Sequence, residues 1–218
     1  GWLFFLPMIV ILGLFLFVPI VMALWVSFSD WAGRGSPFAN GVDFIGLKNY
    51  QDILVTDGLA KSDFGTAIRN NAWYTLLVVP LQTVISLLLA VLLNRKILKA
   101  RSFFRTAFYF PSVTSSVAIT VLWLFLFNAS GSINAMLNWF GVKGPNWFHD
   151  PRGLVHILLS CFGIDNGPAG LTQHGLLGIS WWDWLSGPSV AMFAIILMVI
   201  FTTSGTFMLM FIAALQNI

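Results

Sequence analysis

Residues 94–105 read Asn94-Arg95-Lys96-Ile97-Leu98-Lys99-Ala100-Arg101-Ser102-Phe103-Phe104-Arg105, with long apolar stretches on both sides. Five of the chain's 11 Lys and Arg residues fall in this run, and no acid does. Basic residues gathered in a short loop between two hydrophobic spans mark the cytoplasmic side of a membrane. The run therefore predicts that the chain threads a bilayer, with loop 94–102 cytoplasmic.

The composition agrees. Of 218 residues, 58% are hydrophobic and 9% charged, against about 25% charged in soluble domains. So much apolar surface needs lipid as its solvent. The net charge of +3 comes from the basic run, so nucleic acid is not an expected ligand. Cys161 is the single cysteine; it forms no internal disulfide or cysteine-rich metal site and reads as a free structural thiol.

Four stretches reach the roughly 20 apolar residues that cross a hydrocarbon core: about 2–28, 71–93, 103–127 and 189–215. In lipid each segment must satisfy its own backbone, so each is predicted to be a helix. The fold class is all-α, a polytopic transmembrane bundle with four spanning helices in this chain. Alternation places 29–70 and 128–188 outside, and all eight acids, every one Asp, lie in these two loops. The first stretch is too long for a signal peptide and lacks a small-residue cleavage pattern. Pro7, Pro19, Pro80 and Pro111 are expected to kink their helices. In the second outer loop, 154–164 is apolar but too short to span, and either lies along the membrane surface or packs beneath its own loop. Residues 163–178 read as turns. Trp181, Trp182 and Trp184 read as interfacial anchors.

Reactive constellations are missing. No Gly-x-x-x-x-Gly-Lys-Ser/Thr loop cradles a nucleotide, and there is no His-Glu-x-x-His. His149, His156 and His174 lack ligand spacing. The span interiors offer no acid or histidine for a proton relay. They do carry neutral hydroxyls. Ser112, Thr114, Ser115, Ser116 and Thr120 follow Pro111, and Thr202, Thr203, Ser204 and Thr206 surround Gly205. Residues 199, 202, 203 and 206 recur at i, i+3, i+4 and i+7, one helix face, and Ser112 and Ser116 share a face in the same way. Such hydroxyls either join helices to one another or line a path for a neutral, hydroxyl-rich solute.

Beyond these patterns, a series of runs matches a family: Phe5-Leu6-Pro7, Ser27-Phe28-Ser29-Asp30, Phe44-Ile45-Gly46-Leu47-Lys48-Asn49-Tyr50, Asn70-Asn71, Pro80-Leu81-Gln82, Leu92-Leu93-Asn94-Arg95, Phe110-Pro111, Gly131-Ser132-Ile133-Asn134, Phe140-Gly141-Val142-Lys143, Trp147-Phe148 and Ala213-Ala214-Leu215-Gln216-Asn217-Ile218. In this order and spacing the chain resembles the membrane-spanning permease subunits of binding-protein-dependent ABC sugar importers, the maltose-type permeases in particular. The resemblance implies a non-catalytic subunit of a bacterial or archaeal cytoplasmic membrane. Its implied partners are a second permease subunit, two ATPase subunits and an extracytoplasmic sugar-binding protein. No cofactor is implied for this chain; ATP and Mg belong to the partner ATPase. Substrate-path positions of maltose-type members fall on Ser112, Ser116, Val199, Thr202, Thr203 and Thr206. Those members often carry aromatic or Asn side chains at 112, 199 and 206, so a different sugar is implied. The family's coupling loop is expected just beyond Ile218, followed by further helices, so 1–218 reads as one permease domain truncated before that loop. Residues 152–187 read as an insertion: Trp147-Phe148 before Asp150-Pro151 resembles Trp184-Leu185 before Gly187-Pro188. The rival reading is a secondary transporter or channel for a neutral polar solute.

Overall fold

The computed structural model describes residues 2–95, 100–164 and 166–216, without the side chains of Trp2 and Cys161. Lys96 and Lys99 of the basic run, the Cys161 thiol and the terminal Asn217-Ile218 therefore lie outside the described residues. The chain divides into two units, Gly1–Thr66 and Ala67–Ile218.

In the first unit, α1 (Trp2–Leu12) passes through a π-helical turn (Gly13–Phe17) into α2 (Val18–Ser27). Pro19 brings no N–H to the helical ladder. The helix widens just before it, with the Val18 N–H reaching back to the Gly13 carbonyl, and so continues as one apolar span from Leu3 to Ser27. The Phe44–Tyr50 run closes the end of this span. Asn49 Nδ2 donates to the carbonyls of Ser27 at 3.1 Å and Ser29 at 2.8 Å, satisfying oxygens that a helix C-terminus leaves open. The Ile45 N–H donates to the Phe28 carbonyl at 2.8 Å, and α3 (Lys48–Leu54) follows.

Helix α4 (Leu59–Asn94) begins twelve residues before the expected 71. Its 36 residues make it about 54 Å long at 1.5 Å per residue, well beyond a hydrocarbon core of about 30 Å. Hydropathy marks where a helix enters lipid, not where it starts; the added turns carry Lys61, Asp63 and Arg69.

The second unit is organised on α11 (Val190–Leu215), which Ser189 caps by accepting from the Met192 N–H at 3.2 Å. Ala90 and Leu93 of α4 bury against Met208 and Ile212. Val78 buries against Ile196 and Ile200. In lipid such contacts are held by close van der Waals fit, not by the hydrophobic effect. The expected single helix over 103–127 is instead two, α5 (Arg101–Val113) and α6 (Ser116–Leu126), meeting at a bend of 95°. Among the described residues, three helices are thus long and apolar enough to cross a membrane, four if the bent pair counts as one span.

The 128–188 loop is folded. Within α7 (Ser132–Trp139), buried Asn134 ties the chain together: its Nδ2 donates to the Ala129 and Pro145 carbonyls, and its Oδ1 accepts from Trp147 Nε1 at 2.8 Å. Helix α8 (Leu154–Cys161) packs Leu154 and Ile157 onto the cluster of Phe127, Trp147, Val190 and Ala194. One face of this stretch is thus packed on the protein, while Leu158, Phe162 and Ile164 stay exposed. The turn-rich stretch contains α9 (Ala169–Thr172) and a small hairpin, β1 (Gly175–Leu176) against β2 (Ile179–Ser180). Among the described residues this hairpin is the one paired-strand ladder in a mostly helical fold. The segment after Arg152 is pinched at its base, where Gly153 and Ser189 pair as an antiparallel bridge.

Helix α10 (Trp181–Trp184) corrects the tryptophan reading. Trp182 is half-buried, with its ring stacked on His156 at 4.5 Å. A side chain on Gly167 would run into that ring, its Cβ only 2.3 Å from an indole carbon. Trp184 Nε1 donates to the Leu176 carbonyl at 3.2 Å. Trp181 stays exposed, but the other two indoles fasten the loop. The N-terminal part of α4 grips the same turn through Trp73 Nε1 on the Trp184 carbonyl (2.9 Å) and Arg69 on the Asp183 carbonyl (3.3 Å).

Candidate functional site

Gly205 decides where the site forms. A Cβ there would lie 2.3 Å from the Phe108 carbonyl oxygen and 2.8 Å from Tyr109 Cα, so only glycine lets the α5 backbone come this close to α11. The approach brings Ser112 Oγ to 2.6 Å from the Thr202 carbonyl, to which it donates.

Two residues beyond Ser112 the helix stops. Thr114 (φ −76°, ψ 148°) and Ser115 (φ −54°, ψ 129°) are extended, and α6 leaves in a new direction. The concave side of the bend, closed by α11, is a cavity of about 340 Å³, within the 300–1,000 Å³ of small-ligand sites. Ser112, Thr114, Ser116 and Thr120 line it from one side, and Thr202, Thr203 and Thr206 from the other. Among the described residues, no charged side chain lines it.

Five of the six sequence-named residues, Ser112, Ser116, Thr202, Thr203 and Thr206, therefore meet around one cavity. The sixth does not: Val199 is outside the lining and packs against the buried Val78, Ile196 and Ile200. Ser112 and Ser116 also meet for a different reason from the expected one. They do not share a helix face; the break puts them on separate helices that fold back toward the same space. Thr120, one turn beyond Ser116, and Thr114 belong to the lining as well. The i, i+4 spacing from Ser116 pointed to Thr120, but nothing in the apolar run announced the bend that turns Thr114 inward.

The hydroxyls differ in what they have left to offer. A carbonyl can only accept, so every hydroxyl bonded to one has given up its proton. Thr114 donates to Phe110 O at 2.8 Å, Thr120 to Ser116 O at 2.8 Å, Thr203 to Val199 O at 2.5 Å, and Thr202 lies 2.9 and 3.0 Å from the Met198 and Val199 carbonyls. With Ser112, these five present lone pairs. Among the described residues, Ser116 and Thr206 donate to no protein group.

A second, larger cavity of about 810 Å³ lies between α4, α5, α6 and α11, walled by Ile85, Leu89, Phe108, Trp123 and Phe201. Its hydroxyl, Ser204, donates to the Ile200 carbonyl, and the Trp123 indole N–H to the Ala194 carbonyl. A sugar desolvated there would find the Ser204 oxygen as its one side-chain acceptor, and its other hydroxyls would lack partners, at about 1–3 kcal/mol each. Size alone would choose this cavity; chemistry chooses the smaller one.

No family model matches the chain. Relatives are found along its whole length. A probable ABC transporter permease protein of Pyrococcus horikoshii is 28% identical over 217 residues, covering 99% of this chain and 59% of that protein. The lactose transport system permease protein LacF of Rhizobium radiobacter is 26% identical over 218 residues, 100% of this chain and 58% of the relative. The arabinooligosaccharides transport system permease protein AraP of Halalkalibacterium halodurans is 36% identical over 133 residues, 60% of this chain and 38% of the relative. The chain thus spans less than two thirds of each of these relatives. From end to end it is a homologue of ABC transporter permease proteins, permeases of sugar transport systems among them.

Proposed function

We propose that the chain is the core of a permease subunit that carries a di- or oligosaccharide, or a related polyol, across a bacterial or archaeal cytoplasmic membrane by alternating access. A second permease completes the path, an extracytoplasmic binding protein delivers the sugar, and ATP with Mg is consumed in two separate ATPase subunits. The observation that carries this reading is the neutral, hydroxyl-lined cavity at the α5–α6 bend, where five of the six sequence-named residues lie. Discontinuous helices recur at solute sites of transporters, because the interrupted backbone faces a cavity there instead of lipid. The sugar systems named among the relatives support the solute class. Loop 94–102 faces the cytoplasm in this reading, as its basic residues require.

The test is ATPase activity of the assembled transporter in liposomes, with its binding protein, over a panel of neutral sugars. Stimulation by one sugar class, and uptake that needs ATP, is expected; uptake without ATP would mean a secondary transporter or channel. Ser116→Trp fills the cavity and should lower uptake at least tenfold while the complex still assembles, as judged by co-purification. Normal transport by this variant would remove the cavity from the path.

A further inference from the structure

The division of the hydroxyls specifies which solute atoms face which wall. We infer that the cavity reads its solute by hydrogen-bond polarity, with Ser112, Thr114, Thr120, Thr202 and Thr203 as an acceptor wall and Ser116 and Thr206 as the donors. This inference rests on the transport reading above and adds a selection rule to it.

The reason is local. Threonine or serine on a helix readily gives its proton to the carbonyl one turn back, and here four of the five do so; Ser112 gives its proton across to α11. None of these oxygens can then donate to a solute without losing a bond that lipid will not replace. A solute hydroxyl opposite this wall must therefore supply the hydrogen. A carboxylate or other pure acceptor meets only lone pairs there. Ser116, the first residue of α6, and exposed Thr206 keep their protons for a solute oxygen. The class selected is a neutral solute with several neighbouring hydroxyls, most of them donating.

Deoxy and deoxyfluoro sugars separate the two roles. Hydrogen removes both donor and acceptor, whereas fluorine keeps a weak acceptor and cannot donate. The probes are maltose, lactose and arabinobiose, each with one hydroxyl at a time replaced by hydrogen or fluorine, in competition with the parent sugar for uptake by the full transporter in liposomes. Where a hydroxyl faces the acceptor wall, both replacements should weaken competition to the same degree, about tenfold. Where it faces Ser116 or Thr206, the fluoro sugar should compete better than the deoxy sugar. Variants of this chain assign the walls. In Thr203→Val, one position should lose its deoxy penalty. In Ser116→Ala, the advantage of fluorine over hydrogen should vanish at one position, and Ser116→Thr should restore it. Fluoro sugars that match the parents at every position would overturn the inference, as would unchanged analogue profiles in both variants. If no parent sugar is taken up by the wild-type transporter, the transport reading itself falls, and the inference with it.

Discussion

Two segments of this chain share a pattern and fold differently. Pro80-Leu81-Gln82-Thr83 lies in α4 and Pro111-Ser112-Val113-Thr114 at the end of α5. In both, the threonine hydroxyl donates to the carbonyl four residues back, to Val79 at 2.7 Å and to Phe110 at 2.8 Å. Yet α4 continues unbroken to Asn94, while the other segment bends by 95°. Proline alone therefore does not make the break. The segments also differ at Ser112 where α4 has Leu81, Val113 where it has Gln82, Ser115 where it has Val84 and Ser116 where it has Ile85. Ser112 is tied to a neighbouring helix. Ser115 precedes the first residue of α6 in an extended conformation, and its hydroxyl makes no capping hydrogen bond there. At the break the Thr114 N–H reaches only Pro111 O at 3.4 Å, and the Thr114 hydroxyl takes the Phe110 carbonyl in its place. A proline permits a bend; the polar residues after it, and what they find nearby, decide whether one forms.

The largest test removes what they find nearby. Gly205→Ala forces apart the backbones of α5 and α11 and should cost about 1–3 kcal/mol, read as a lower unfolding midpoint in detergent. Gly170→Ala, with nothing within 4 Å of the new Cβ, should stay within about 0.5 kcal/mol of wild type. Equal effects would mean that the close approach does not hold the pair.

The next test converts one segment into the other. Ser112→Leu with Ser115→Val gives α5 the α4 residues at these two positions, and Pro111→Ala removes only the proline. Spin labels at exposed Phe104 and Leu124 report the bend. The double variant should lengthen their separation toward the roughly 30 Å of twenty residues of straight helix; Pro111→Ala should leave it short. The opposite pattern would return the cause to proline.

The smallest effect is expected far from this comparison. Asp150 holds Arg152 by a bidentate pair, 3.0 and 2.7 Å, at the base of the outer loop. The hydrogen bond from Arg152 keeps the Asp150 carboxyl below its ordinary value. A carboxyl lowered on folding stabilises above its unfolded value and loses that contribution as pH falls through the folded one. Protection of the loop from protease should thus be unchanged from pH 7 to pH 5 and decline only below the ordinary carboxylate range. For an exposed pair the decline is slight. Asp150→Asn should remove the pH dependence.

Much of this was legible in the sequence, for reasons that also explain what was not. Long uncharged runs located the spans because lipid demands them. They could not reveal that α4 starts at Leu59, since water and lipid are both compatible with helix there. The hydroxyl spacing placed Thr202, Thr203 and Thr206 together, and they line one cavity because α11 is regular through them. Val199, grouped with them, lies outside that lining: a face of helix is wider than the cavity it borders, and Val199 sits on the side turned toward α4. Ser112 and Ser116 were paired by a helical spacing that the break abolishes. The tryptophans before α11 were assigned by type to a lipid interface, but indoles that find carbonyls and a histidine ring within their own loop do not need one.

The bridge between Gly153 and Ser189 has a consequence for how such a chain can change. Since the incoming and outgoing backbone meet side by side, turns between them such as those at Gly163 and Gly170, with open space beside them, have room to grow or shrink without altering the distance the flanking helices must span. That doorway leaves the tip of the loop editable while the residues packed on the helices stay as they are.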